Sequence, residues 1–146
     1  MVIEEWETEP NFLEGDFYGL HCRIVRNDLG TLCGYVAVPK KHPYFKYTDY
    51  YEPPVCDLKV HGGITYLEIH KGPVKVYGFD CGHFGDICPK FPRNFPQHGT
   101  YKNIEYVKQQ VENLAKQLAG NAKEKEKKKK DIWLPKLSLQ ENLQTN

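Results

Sequence analysis

Residues 17–80 are a succession of short segments in which polar and apolar residues alternate, and this pattern constrains the fold more than any other feature. The clearest example alternates strictly over five positions: Leu20, His21, Cys22, Arg23 and Ile24. Segments of this kind are predicted as strands at residues 17–26, 31–38, 55–61, 64–69 and 74–79. Parallel neighbours need a crossover of about a dozen residues or more, and none fits between residues 17 and 80. The sequence therefore predicts an antiparallel meander.

One amphipathic helix follows the predicted strands. Its apolar residues step by three and four positions, which places them on one stripe: Ile104, Val107, Val111, Leu114 and Leu118. Asn103 or Thr100 can cap its start, and Gly120 with Asn121 can close its end. We predict an α+β fold, in which an antiparallel β-sheet of about five short strands carries one long C-terminal helix packed on it. The same stripe could instead form a homo-oligomer through the C-terminal helix.

Charge divides the chain into three parts. Residues 1–16 are predicted as an acidic N-terminal arm or short edge element, residues 17–120 as a single α+β domain, and residues 121–146 as a lysine-rich C-terminal extension. The extension holds six lysines between Lys123 and Lys130, and a small apolar patch at residues 131–137 could dock onto the body or a partner. The rest of the chain is mildly acidic and has only three arginines, so duplex nucleic acid is not expected as a partner.

Three features of the sequence bear on the cellular compartment and on membrane association. There is no apolar run of 18 residues, so no membrane partner is expected, and the first ten residues are acidic where a secretory signal would be basic and then apolar. The cysteine count is 5, an odd number without regular spacing, which favours reduced thiols. An intracellular protein is predicted.

Two glycine-rich segments concentrate the candidate chemistry. Residues 61–66 read HGGITY and residues 78–86 read GFDCGHFGD. Glycines clustered among His, Asp and Thr are typical of tight turns or of backbone brought close to a ligand. The alternative is that the glycines only make turns and that Asp80 and Asp86 only cap them. If the two segments meet in the fold, they form a shared site.

The first interpretation of this site is the binding of a small nucleotide-type ligand. Backbone amides of Gly62, Gly63 and Gly82 could hold an anionic group, and aromatic residues at positions 44–51 could stack on a nucleobase. These aromatics could equally be a cover for the sheet. The predicted ligand-binding residues are His61, Gly62, Gly63, Thr65, Tyr66, Asp80, His83, Asp86, Arg23 and Arg93. No cofactor is required by this interpretation.

A second interpretation is a metal-dependent hydrolase. His61, Asp80 and His83 could hold a divalent metal such as zinc, because two imidazoles and a carboxylate leave coordination positions open for water. Their spacing matches no established ligand signature. A third interpretation makes Cys81 a nucleophile with His61 or His83 as its base, although nothing in the sequence indicates an acidified thiol.

The same motifs resemble a widespread family of small, uncharacterised bacteriophage and prophage proteins. The similarity covers about residues 20–119 and is carried by four stretches, at residues 34–43, 60–66, 78–86 and 106–118. The resemblance implies a phage origin and a place in the host cell cytoplasm, but no reaction. By analogy with small phage proteins that act on host defences, we expect an anti-defence sponge that sequesters a cyclic-nucleotide or ADP-ribose-type immune signal. A protein–protein inhibitor of a host factor is a further alternative.

Overall fold

The computed structural model of the protein describes residues 2–92, 94–120 and 132–135. In chain order the elements are α1 (Glu5–Thr8), β1 (Phe12–Phe17), β2 (Leu20–Arg26), β3 (Leu32–Pro39), β4 (Tyr66–His70), β5 (Val74–Asp80), β6 (Gly85–Asp86), β7 (Gly99–Thr100), α2 (Ile104–Ala119) and β8 (Leu134–Pro135). Single 3-10 turns lie at Pro43–Lys46 and Val55–Asp57.

The predicted α+β class is confirmed, with two corrections of detail. The main sheet has six strands rather than about five, in the order β4-β5-β3-β2-β1-β8, and each neighbouring pair is antiparallel. The helix α2 is not the last element, because β8 follows it and pairs with β1. A separate two-stranded parallel pair joins β6 and β7.

The first strand lies in a segment that the sequence analysis assigned to the acidic arm. Strand β1 pairs with β2 along its whole length, from Phe12 opposite Val25 to Phe17 opposite Leu20. A two-residue turn joins the strands, with both Tyr18 (φ 54°) and Gly19 (φ 77°) in the left-handed region that such hairpins require. The arm therefore ends before residue 12, since residues 12–16 belong to the sheet.

The predicted strand at residues 55–61 is wrong. Val55 and Leu58 are buried three positions apart, which matches a 3-10 turn rather than a strand. Beyond the turn, the backbone is held by side chains of α2 instead of a neighbouring strand. Gln117 accepts from Lys59 N at 2.7 Å and donates to Lys59 O at 2.8 Å, so the segment runs along the helix toward His61.

Helix α2 covers one face of the sheet. All residues of its predicted apolar stripe are buried, and they pack against β2 and β3. The backbone of Gly34 in β3 lies so close to the helix that an added Cβ would overlap Val111 and Phe79. Because these residues already pack on the sheet of the same chain, a homo-oligomer through α2 would have to use another side of the helix. Such an oligomer stays a prediction. No helix among the described residues is long and apolar enough to cross a membrane.

The aromatic loop between β3 and β4 packs beside α2 on the covered face. Tyr44, Phe45, Tyr47 and Tyr50 all pack against the core, and only Tyr51 is largely exposed, at 79%. Tyr77 donates its hydroxyl hydrogen to the carbonyl of Tyr44. Four of the five aromatics in this loop are thus partly buried as a cover for the sheet.

The C-terminal extension is described only at residues 132–135. There Trp133 packs against Phe17 with ring centroids 4.7 Å apart, and its indole N–H donates to Glu112 of α2 at 3.0 Å. Part of the predicted apolar patch therefore docks onto the body. The lysine run and the remaining residues of the extension lie outside the described residues.

Candidate functional site

The two glycine-rich segments lie against each other, which is the condition that the sequence analysis set for a shared site, and a histidine–aspartate pair joins them. His61 Nε2 lies 2.8 Å from Oδ2 and 3.1 Å from Oδ1 of Asp86. The other ring nitrogen of His61 lies 2.9 Å from the hydroxyl of Tyr106 in the first turn of α2. Gln110, one helical turn further, accepts from the His61 backbone N–H at 2.8 Å. The helix therefore fixes both the backbone and the ring of His61.

Asp86 is the centre of this cluster. Its side chain is only 2% exposed and also contacts Lys102 Nζ at 3.0 Å, while the backbone N–H of His83 donates to it at 3.0 Å. Burial on its own would raise the pKa of Asp86, but the hydrogen bonds from His61, from the His83 backbone and from Lys102 outweigh it, and the pKa lies below its ordinary value. The carboxylate is charged at neutral pH and would repel an anionic ligand at this place.

His83 lies on the outer side of Asp86 and depends on a glycine. Gly62 has a φ of 70°, and a Cβ added to it would stand 2.5 Å from Cε1 of His83. The glycine thus provides both a left-handed turn and the surface on which the imidazole rests. On the far side of the ring, Asp80 Oδ1 lies 3.7 Å from His83 Nε2 and accepts from the Thr65 hydroxyl at 3.1 Å.

Two predicted roles are not supported by this geometry. The amide of Gly63 donates to the carbonyl of Val60, and the amide of Gly82 donates to Asp80, so neither amide is free to hold an anion. Cys81 is 2% exposed, and burial raises the pKa of its thiol strongly. A buried neutral thiol is a poor nucleophile, so this geometry gives no support to Cys81 as a catalytic residue.

A second candidate region lies on the sheet face that α2 leaves open. A cavity of about 370 Å³ is lined there by His21, Arg23, Val25, Tyr35, Ala37, Tyr66, His70, Lys71, Val74 and Val76. Its centre is the row that aligns Tyr66 with Gly78, Gly78 with Tyr35 and Tyr35 with Arg23 across four strands. An added Cβ at Gly78 would stand 2.5 Å from the ring of Tyr35, so this glycine makes the floor on which the ring lies.

Two tyrosines and two permanent cations line this open-face cavity. Tyr35 and Tyr66 meet edge to face with centroids 5.4 Å apart, and the Tyr66 hydroxyl lies 2.7 Å from His70 Nε2. Burial and the neighbouring Cys33 raise the pKa of Tyr35 to about 12, so its hydroxyl stays neutral at physiological pH. Among the described lining residues, Arg23 and Lys71 carry permanent positive charge. Two carboxylates lie nearby in the strand pairing, because Glu14 is opposite Arg23 and Glu68 is opposite Val76.

Arg23 is the cation at the centre of the cavity. It is exposed, and no acid within residues 2–92, 94–120 or 132–135 forms an ion pair with it. The nearby histidine, His21, is instead engaged by the acids of β1, at 3.1 Å from Asp16 and 3.7 Å from Glu14. Within the described part of the chain, the guanidinium is therefore a donor group without an ion pair, which leaves it available to recognise an anion.

The structure thus divides the predicted ligand-binding residues between two places. The histidine–aspartate cluster contains seven of them: His61, Gly62, Gly63, Thr65, Asp80, His83 and Asp86. Arg23 and Tyr66 line the open-face cavity, and Arg93 lies outside the described residues. The sequence analysis missed Lys102 and Tyr106 in the cluster and Tyr35, His70 and Lys71 in the cavity. Tyr106 and Gln110 are four positions apart, so they lie on the same face of the predicted helix, and this spacing was a signal available in the sequence.

Models of protein families, curated proteins and solved structures give no match to this chain. The resemblance to phage proteins therefore stands on the sequence motifs alone, and the function has to be inferred from the two sites.

Proposed function

We propose that this protein is a binding protein for a small anionic ligand with an aromatic ring, of the nucleotide type, and that the open-face cavity holds it. The observation that carries the proposal is Arg23, which forms no ion pair with the described residues and lies at the centre of a cavity that Tyr35 and Tyr66 also line. A guanidinium and a lysine ammonium answer the charge of a phosphate, while the two tyrosines offer ring edges and faces to a base. This location replaces the one at the glycine-rich segments, where Asp86 would repel a phosphate.

The size of the cavity limits which ligands fit. About 370 Å³ lies near the lower end of the range of roughly 300–1,000 Å³ for small-molecule sites. This volume favours a ligand the size of one nucleotide or an ADP-ribose fragment over a cyclic oligonucleotide. The biological role that fits, together with the phage resemblance, is sequestration of a host immune signal in the host cytoplasm, without conversion of the ligand.

Calorimetry with ADP-ribose, nucleoside monophosphates and cyclic dinucleotides tests the proposal. Arg23→Gln removes the charge while keeping a polar side chain, and we expect it to weaken binding by about 10- to 100-fold, since hydrogen bonds to charged groups contribute roughly 1.5–3 kcal/mol. Lys116→Gln removes an exposed positive charge from α2 and should leave binding unchanged. Equal weakening by both variants would show that only net charge matters and would refute a specific site.

The recovered ligand separates sequestration from catalysis. After binding and heat denaturation, mass spectrometry should find the ligand unchanged. Recovery of a hydrolysed product would favour the metal-dependent hydrolase instead. If no tested nucleotide binds while a host protein is captured through residues of the cavity, the protein–protein inhibitor becomes the better account.

A further inference from the structure

Three potential metal ligands from the two glycine-rich segments lie within one coordination sphere. One ligand atom from each of His61, His83 and Asp86 lies within 4.8 Å of the others. From Asp86 Oδ2 the distance is 2.8 Å to His61 Nε2 and 3.9 Å to His83 Nδ1. Two ligands on a tetrahedral zinc ion are about 3.3 Å apart, because each bond is roughly 2.0–2.1 Å long. Small rotations of the rings therefore bring all three atoms to bonding distance.

The imidazole of His83 has an unused nitrogen at this point. Its Nδ1 is buried and has no hydrogen-bond partner among the described residues. A buried polar atom without a partner costs free energy, so in a native protein it calls for a ligand. The Asp86 carboxylate, at 3.9 Å, is beyond hydrogen-bond distance. A cation between the two atoms would give His83 Nδ1 the partner that it lacks.

The surroundings of the three atoms match what metal sites need in their outer contacts. The Tyr106 hydroxyl can accept a hydrogen bond from His61 Nδ1, which would leave the Nε2 lone pair facing Asp86, and only a proton or a metal cation makes that arrangement favourable. Lys102 contacts Oδ1 of Asp86 at 3.0 Å, and the backbone N–H of His83 donates to Oδ2 at 3.0 Å, so both contacts orient the carboxylate. A second lone pair of Oδ2 remains for the ion. Held in this way, the ligands are preorganised.

We propose that His61 Nε2, His83 Nδ1 and Asp86 Oδ2 bind a divalent transition-metal ion such as Zn²⁺. Two imidazoles and one carboxylate select such an ion over Mg²⁺ or Ca²⁺, which prefer oxygen ligands. The side chain of His83 is 32% exposed, so water can complete the coordination on that side. The ligand set predicted from the sequence contained Asp80, and here Asp86 stands in its place. Asp80 lies next to the other ring nitrogen of His83, outside the proposed coordination sphere.

This site is independent of ligand binding in the open-face cavity, and metal titration of the full chain tests it. The protein, stripped with a chelator, is titrated with Zn²⁺ in equilibrium dialysis and with Co²⁺ in absorption spectroscopy. A Cys56→Ser background removes the exposed thiol, which could bind metal on its own. We expect one equivalent to bind, with a cobalt spectrum that lacks thiolate charge transfer.

The variants decide which residues hold the ion. His83→Ala should weaken zinc binding by at least about 100-fold, and the matched His21→Ala, which removes an exposed histidine from the open face, should not. Gly62→Ala keeps all three ligands but displaces the His83 ring, and should weaken binding by about 10-fold, as outer contacts do. Circular dichroism checks that each variant is folded. Binding that persists in His83→Ala, or wild-type protein that binds no zinc saturably, would overturn the proposal.

Discussion

Replacement of Asp86 should destabilise the fold more than any other single change in the histidine–aspartate cluster. The buried carboxylate accepts from His61 Nε2 at 2.8 Å and from the His83 backbone N–H at 3.0 Å, and it pairs with Lys102 at 3.0 Å. Lys102 also donates to Thr100 and to the carbonyl of Gly85, so it keeps partners when Asp86 is removed. The loss therefore falls mainly on the other two donors.

The expected magnitude follows from those donors. A buried donor left unsatisfied costs about 1–3 kcal/mol, and breaking a buried charged pair costs about 3–5 kcal/mol. Asp86→Ala should lower the free energy of unfolding by about 3–5 kcal/mol, and Asp86→Asn, which keeps one acceptor and the shape, by about 2 kcal/mol. Urea unfolding followed by circular dichroism at pH 7, with a chelator present, measures both. Asp28→Ala, an exposed acid of the β2–β3 turn, should change stability by under about 0.5 kcal/mol.

The same residue predicts a pH dependence with a definite sign. The folded pKa of Asp86 lies below its unfolded value, so the stabilisation is complete above the unfolded value of about 3.9 and is lost as the pH falls through the folded pKa. The difference in unfolding free energy between wild type and Asp86→Asn should accordingly shrink below about pH 4. A loss in Asp86→Ala of less than about 1 kcal/mol at pH 7 would refute the reasoning, because desolvation of the carboxylate would then cancel its contacts.

Three further changes test the packing. Gly62→Ala should cost about 2 kcal/mol more than Gly63→Ala in urea unfolding, because both glycines have positive φ but only position 62 lies against the His83 ring; equal losses would mean that backbone strain alone matters. Leu114→Ala should cost about 2–5 kcal/mol by thermal unfolding, since Leu114 is fully buried, and a loss below about 1 kcal/mol would contradict its place under the sheet. In a Trp6→Phe background, Gly15→Ala should shift the fluorescence of Trp133 to the red, because the added methyl would overlap the carbonyl of Ile132 and displace the segment; an unchanged spectrum would contradict that contact.

The sheet was largely predictable from local pattern because strict alternation has one structural meaning when one face is buried. The strand containing Leu20, Cys22 and Ile24 and the helix with its apolar stripe are both of this kind. Strand β1 has the same alternation, with Leu13 and Phe17 inward, but its acidic outward residues suggested a solvated arm. The strand prediction at residues 55–61 is wrong although the segment alternates. Its backbone bonds to glutamine side chains that are distant in sequence instead of to a neighbouring strand.

The candidate site was predictable only in part, because side-chain partners come from remote elements. Motif composition singled out residues 61–66 and 78–86 as candidates, but whether they meet was left as a condition, and nothing in either motif indicates Lys102 or Tyr106. The sequence analysis did not predict the open-face cavity, although its central residues occupy outward-facing positions on their strands. Its floor depends on the register that aligns Tyr66, Gly78 and Tyr35, and register across strands distant in sequence cannot be read from one strand.

Mapping of ligand contacts by NMR tests the central claim most directly. With ¹⁵N-labelled protein titrated with ADP-ribose and with a nucleoside monophosphate, we expect saturable amide shifts along the open face, centred on Arg23, Tyr35 and Val76. Amides of α2 and of the aromatic loop should stay unshifted. Shifts confined to the cluster around His61 and Asp86, or none at millimolar ligand, would contradict the assignment of the open-face cavity as the binding site.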